Sequence, residues 1–256
     1  MLDLNDYTSL EKLLSKLDDD VFWKPVKGEK LAIEQFDEHI ELIEASQDWG
    51  KAENHKKGAV LENFAMFLFS RFQDVQVFKN KRPGDNETDI EAIMSEKALP
   101  PFIKNIIGQR IICECKNKKS STIDVGMVTK LAEIIPTRGS NFGIFISIKG
   151  MGGQSWRFGE GKRKKIMYSH QLPLISFTVD ELKEIKEGRN FYTMIKEKYY
   201  ALLDEVDDNT SGIPLEEEDF IKYTLQMVEH FKKCELLNDE EERSLLMRLS
   251  KRYGLQ

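Results

Sequence analysis

Two short runs decide the fold: Glu87-Thr-Asp-Ile-Glu-Ala-Ile-Met94 and Arg110-Ile-Ile-Cys-Glu-Cys-Lys-Asn117. Both are rich in isoleucine and short enough to be buried strands. Yet they carry Asp89, Glu114 and Lys116 inside them. An unpaired charge in such a strand costs roughly several kcal/mol in lost hydration, so packing alone seldom explains these residues. Side chains alternate along a strand, which sends Glu114 and Lys116 to one face and Ile111, Cys113 and Cys115 to the other. One face is expected to be core and the other a site for chemistry.

Working outward, Lys57 to Phe72 reads as a strongly apolar helix with a single acid, Glu62. That acid either complements the helix N-terminus or points at a site formed by the strands. Val75 to Phe78 is a short strand, and a turn dense in Pro83, Gly84, Asp85 and Asn86 leads into the Asp89 strand. Residues 96 to 109 form an insertion with Pro100 and Pro101 before the Glu114 strand. Asp124 opens a helix through Ile135, with Asp124 or Thr122 as its cap and Pro136 and Gly139 closing it. Lys130 in that helix either approaches the site or is a surface lysine, the second reading being favoured. The apolar strand Phe142 to Ile148 follows, then the loop Gly150-Met-Gly-Gly153, a basic helix near Gly161 to His170, and a strand from Leu174 to Val179. Helix, three strands, helix, strand, helix, strand is an α/β order, a mixed central sheet flanked by helices.

The ends differ. Residues 1–55 are helical in pattern, with Leu10, Leu13, Leu14 and Leu17 spaced for one face and Ile33, Phe36, Ile40 and Ile43 for another. Trp23 and Trp49 are expected to cover apolar surface. Residues 181–256 are helical and acidic, interrupted at Asp207 to Pro214, with 14 acids against seven bases from residue 201 on. The reading is therefore three regions: helical 1–55, the core 56–180, and helical 181–256.

At 256 residues and 40% hydrophobic content the chain can bury a real core. No run approaches the ~20 apolar residues of a membrane span, and the start lacks a secretion signal, so no membrane partner and a cytoplasmic address are expected. The three cysteines cannot form a disulfide framework, and no histidine lies near Cys113 and Cys115 in sequence to complete a zinc site. A net charge of -6 conceals segregation: residues 97 to 170 hold 14 Lys and Arg against four acids. A phosphate backbone responds to that local field rather than to the average, so nucleic acid remains a compatible partner.

Phosphodiester hydrolysis needs an activated water and stabilisation of charge on phosphate oxygens. Asp89 and Glu114 on adjacent strands would offer hard oxygens suited to Mg2+, the main-chain carbonyl of Cys115 a further ligand, and Lys116 a point charge for water or phosphate. Glu62 would complete the shell directly or through water. The segments Gly58-Ala-Val-Leu-Glu62, Gly84-Asp-Asn-Glu-Thr-Asp-Ile90 and Glu114-Cys-Lys116 resemble the PD-(D/E)xK nuclease superfamily, closest to its Mrr-like restriction endonuclease branch. The likeness spans residues 57 to 180. It implies a restriction-endonuclease-like core with helical N- and C-terminal additions, Asp89 and Glu114 as metal ligands, Lys116 as the catalytic lysine and Glu62 as the helix-borne acid. It also implies a Mg2+-dependent nuclease acting on DNA, with Mn2+ as substitute, in defence against foreign DNA or in DNA processing.

Thr88 rather than proline precedes Asp89, and Asp85, nearer Pro83, competes for the ligand role. RNA stays open as a substrate. Gln154, Trp156 and Arg157 in the glycine-rich loop, and Lys162, Arg163, Lys164 and Lys165 beyond it, are candidate nucleic-acid contacts. Double-strand cutting would call for a homodimer, and the helical termini would suit a protein partner. The competing reading is a catalytically silent nucleic-acid-binding or assembly module.

Overall fold

A computed structural model describes residues 7–14, 16–81, 87–95, 99–153, 158–206 and 218–253. Five strands form one mixed sheet in the order β1-β2-β3-β4-β5: β1 Val75–Lys81, β2 Thr88–Met94, β3 Arg110–Lys116, β4 Phe142–Ser147 and β5 Leu174–Thr178. β1, β2 and β3 pair antiparallel, while β3, β4 and β5 run parallel. The parallel half requires crossovers, which are the helices α4 (Val125–Thr137) and α5 (Gly159–His170). All six residues of β4 are buried, as expected of a central strand covered on both faces. This is the α/β architecture expected from the strand and helix order, a mixed sheet flanked by helices, and it agrees with the restriction-endonuclease-like core that the resemblance implies.

Before the sheet come α1 (Tyr7–Leu14), α2 (Lys30–Ser46) and α3 (Asn54–Ser70), and after it α6 (Val179–Lys183) and α7 (Phe191–Glu205). The two faces of the sheet have separate cores. The larger gathers Phe64, Leu68, Ile90, Ile111, Cys113, Ile144 and Phe177 with α2, α3 and α7. The smaller gathers Ile112, Val128, Leu131, Ile135, Phe145 and Ile166 beneath α4 and α5. Strand alternation in β3 is thus confirmed, with a refinement. The face bearing Glu114 is core at Ile112 and becomes polar only at Glu114 and Lys116.

α2 belongs to the larger core, where Phe36 meets Phe64 edge-on with ring centroids 5.4 Å apart. Trp23 is fully buried there and its Nε1–H donates to the Leu68 carbonyl at 2.9 Å, matching the covering role expected of it. In the 96–109 insertion, Ile103 and Ile107 plug the same core, and Phe102 packs against Tyr192 and Tyr199.

α3 begins at Asn54, earlier than the sequence suggests, so Glu62 lies about two turns inside the helix rather than at its start. α4 runs through Pro136 to Thr137, and Gly139, at φ +60, makes the turn that ends it. Pro136 has no N–H to donate to the Ala132 carbonyl, so the last turn of α4 forfeits one ladder hydrogen bond. Gly143 on β4 explains how closely α4 approaches: a Cβ would stand 2.6 Å from Ile135 Cδ1 and from Leu174 Cδ2. That closeness sets the height of α4 above Glu114.

Residues 207–256 form a second compact unit, described by itself. It contains α8 (Glu218–Lys233) and α9 (Asp239–Tyr253), joined by a short turn in which Glu235 has a positive φ of 57°. Among the described residues no helix is long and apolar enough to cross a membrane.

Candidate active site

Pairing of β2 with β3 runs from Ile93↔Arg110 to Ile90↔Cys113 and then stops. The next residues in the same register are Asp89 and Glu114, so the strands part where both chains carry a carboxylate. Asp89 fills the gap: its Oδ2 accepts a hydrogen bond from the Cys115 backbone N–H at 2.7 Å. A residue's N–H and C=O leave a strand on the same side, so the Cys115 carbonyl is directed toward that gap as well.

Glu114 is almost buried, at 8% side-chain exposure. One oxygen, Oε2, lies 3.5 Å from Lys130 Nζ; the other, Oε1, is buried and makes no hydrogen bond. A buried carboxylate oxygen without a partner is uncommon and calls for an explanation. Lys116 Nζ donates to the Thr122 carbonyl at 2.6 Å and lies 3.4 Å from Asp124 Oδ2. Asp124 is also the α4 cap, accepting from Met127 N–H at 3.0 Å, so one side chain fixes both the helix start and the strand lysine.

Glu62 does not cap its helix. Its Oε2 is 3.1 Å from Lys79 Nζ and accepts from Asn80 Nδ2 at 3.4 Å, which directs it to β1 at the edge of the gap. Asn117, next to Lys116, ties the end of β3 to both α2 and α3: it donates to Ser46 Oγ at 3.0 Å and to the Lys57 carbonyl at 2.6 Å, and accepts from Gln47 Nε2 at 2.6 Å. Asp89 thus lies within electrostatic reach of both Glu114 and Glu62, while the Lys116 ammonium at the end of the same strand as Glu114 is held by Thr122 and Asp124.

A family model described as restriction endonuclease matches residues 33–174, more than half of the chain. The chain belongs to that family. It is a PD-(D/E)xK nuclease of restriction endonuclease type, and the matched span runs from inside α2 to the start of β5. No curated protein and no solved structure matches it.

The electrostatics of the nuclease centre follow from its geometry. Burial raises the Asp89 carboxyl to about 6, with the Cys115 N–H opposing and the Glu62 charge reinforcing the rise. Burial likewise raises Glu114 to about 7, the Asp89 charge adding to it and Lys130 opposing. Two carboxylates are thus held together in a place that disfavours their charge. Restriction endonucleases of this superfamily generally use a divalent metal. The residues fit one, because the orphaned Glu114 oxygen and the repulsion between the two acids are what a cation would relieve. No cluster of three or more His, Cys, Asp or Glu suited to a metal occurs among the described residues. A cation there would have as donors the two carboxylates and the Cys115 carbonyl, hard oxygens of the kind that suit a divalent metal.

Lys130 takes the less favoured of its two sequence readings. It is half exposed, at 52%, but its ammonium reaches Glu114 instead of solvent alone. The signal was its position in the helix after Glu114-Cys-Lys116, which only the close seat of α4 on Gly143 converts into contact. In α5, Arg163 is engaged by Glu160 at 2.5 Å and Glu205 at 2.9 Å, and Lys164 by Glu205 at 3.3 Å; Lys162 and Lys165 are half-buried and make no ion pair among the described residues. Gln154, Trp156, Arg157 and the competing Asp85 lie outside the described residues.

Proposed function

We propose that this nuclease is a Mg2+-dependent endonuclease that hydrolyses phosphodiester bonds of DNA, with Mn2+ able to substitute, in defence against foreign DNA or in DNA processing. The observation that carries the reading is the pair Asp89 and Glu114 at the point where β2 and β3 part, with one Glu114 oxygen buried and unpartnered. Asp89, Glu114 and the Cys115 carbonyl would hold the cation. When bound, it supplies Lewis-acid stabilisation of phosphate charge and lowers the pKa of a coordinated water.

The protein's own groups do the rest. The Cys115 N–H keeps the Asp89 carboxylate turned into the gap, and burial keeps competing water from both acids. Lys116, held at the mouth of the site by Thr122 and Asp124, supplies a point charge for the scissile phosphate or the attacking water. Glu62, steadied by Lys79 and Asn80, would take a proton or bind a metal-bound water. Lys162 and Lys165 are the α5 side chains best suited to contact the DNA backbone, because Arg163 and Lys164 are engaged by acids. A homodimer would bring two such centres to the two strands.

The test is cleavage of supercoiled plasmid, single-stranded DNA and RNA by the purified protein with Mg2+, Mn2+ or chelator. Metal-dependent nicking or cutting of DNA is expected, abolished by Asp89→Ala, Glu114→Ala and Lys116→Ala with folding intact. Undiminished cleavage by all three variants overturns the assignment, and cleavage confined to RNA overturns the substrate.

A further inference from the structure

The nuclease centre contains two lysines with different attachments. Lys116 is tethered: its ammonium donates to the Thr122 carbonyl at 2.6 Å and faces Asp124 at 3.4 Å. Lys130 is not. Its one side-chain partner among the described residues is Glu114 Oε2, at 3.5 Å, a long contact governed by charge rather than by hydrogen-bond geometry. The stem projects from α4, whose backbone is fixed against the sheet at Gly143, while the side chain is 52% exposed and free to swing about its four-carbon stem.

Lys130 is therefore the positive charge nearest Glu114 in the metal-free protein. A divalent cation held by Asp89 and Glu114 would bring a like charge beside it, and repulsion would favour its departure. The nearest anion to receive it would be a phosphate oxygen of DNA bound at the same centre. We infer that Lys130 is a mobile counter-charge: it occupies the carboxylate pair in the absence of metal, yields to the cation, and then contacts the substrate phosphate. This inference rests on the metal-site reading above and adds a residue and an order of events to it.

The consequence is a pair of effects opposite in sign. Removing the ammonium takes away a competitor of the metal and also a contact of the phosphate. Lys130→Met in the full chain should bind Mn2+ about three- to tenfold more tightly by calorimetric titration, given one like charge a few ångströms away at a partly exposed site. At saturating Mn2+ the same variant should cleave plasmid DNA about tenfold more slowly or worse. Lys130→Arg, which keeps the charge, should restore metal affinity to the wild-type value and recover part of the cleavage rate.

A structural role would give another pattern, in which metal affinity and cleavage fall together with the melting temperature. Unchanged or weaker Mn2+ binding by Lys130→Met, or an unchanged cleavage rate at saturating metal, overturns the inference. Glu114→Ala separates this failure from that of the underlying site. If wild type binds Mn2+ and Glu114→Ala does not, the metal site stands whatever Lys130 does. If wild type binds none, or Glu114→Ala binds equally well, the metal site fails and the role of Lys130 with it.

Discussion

Asp89 and Glu91 stand two residues apart on one strand and have opposite surroundings. Glu91 is fully buried, and two guanidinium groups converge on it, Arg138 Nε at 3.4 Å and Arg110 Nη1 at 3.7 Å, while Thr88 Oγ1 donates to it at 3.0 Å. Arg110 in turn donates to the Arg138 carbonyl at 2.7 Å, closing a link between β2, β3 and the end of α4. Asp89 and its neighbour Glu114 have backbone N–H groups and one half-exposed lysine to offset them, and Glu114 Oε1 has no charged partner, whereas Glu91 Oε2, which also lacks a hydrogen bond, has Arg110 Nη1 at 3.7 Å. A buried acid surrounded by compensating charge serves the fold. A buried pair left short of positive charge is a candidate cation site, and the difference lies in the partners rather than in the acids.

The largest expected effect tests the compensated half. Glu91→Ala would strand two arginines and should destabilise the protein by roughly 3–5 kcal/mol in denaturant unfolding. A loss below about 1 kcal/mol would mean the cluster is no structural link. The second effect tests the uncompensated half. Asp89→Ala should lower the cleavage rate at least about a hundredfold, with a melting temperature at or above that of wild type.

The sharpest contrast is in pH. The Glu114 carboxyl is raised by folding, so the native state binds its proton more tightly than the unfolded chain does. Its favourable contribution is present at low pH and is lost as pH rises from the ordinary carboxylate range through about 7. Glu114→Gln should therefore stabilise the metal-free protein by roughly 1–3 kcal/mol at pH 8 and by almost nothing near pH 4. Equal stabilisation at both values, measured by thermal melts across pH, would break the distinction between the two acid sites. Added Mg2+ should stabilise wild type at pH 8 and leave the Gln variant less affected.

The smallest effect concerns α5, where the same comparison of compensated and uncompensated charge applies. Lys162→Ala combined with Lys165→Ala should reduce the salt dependence of DNA binding by roughly 0.9 per lost phosphate contact while leaving the fold intact. Lys164→Ala, whose charge is already engaged by Glu205, should change that slope less. Binding isotherms over a range of salt concentrations decide between them.

The strands were legible because short isoleucine-rich runs between turn residues have few alternatives, and the helices because their apolar spacing and caps are local. Asp124 as a cap was readable for that reason. The direction of Glu62 was not, since it depended on where α3 begins and on Lys79 and Asn80 across a strand. Lys130 was not either, because its reach depends on how near α4 comes to the sheet.

By itself the sequence determined which residues are strand, which are helix, and that acids sit where apolar neighbours make them costly, since these properties depend on neighbours along the chain. It could not distinguish Asp89 from Glu91, two acids flanking one isoleucine. Only the tertiary structure did, by bringing Arg110 and Arg138 to one and leaving the other beside Glu114 where the strands part. The physical reason is that the energy of a buried charge is set by what lies within a few ångströms in space, which local sequence does not contain.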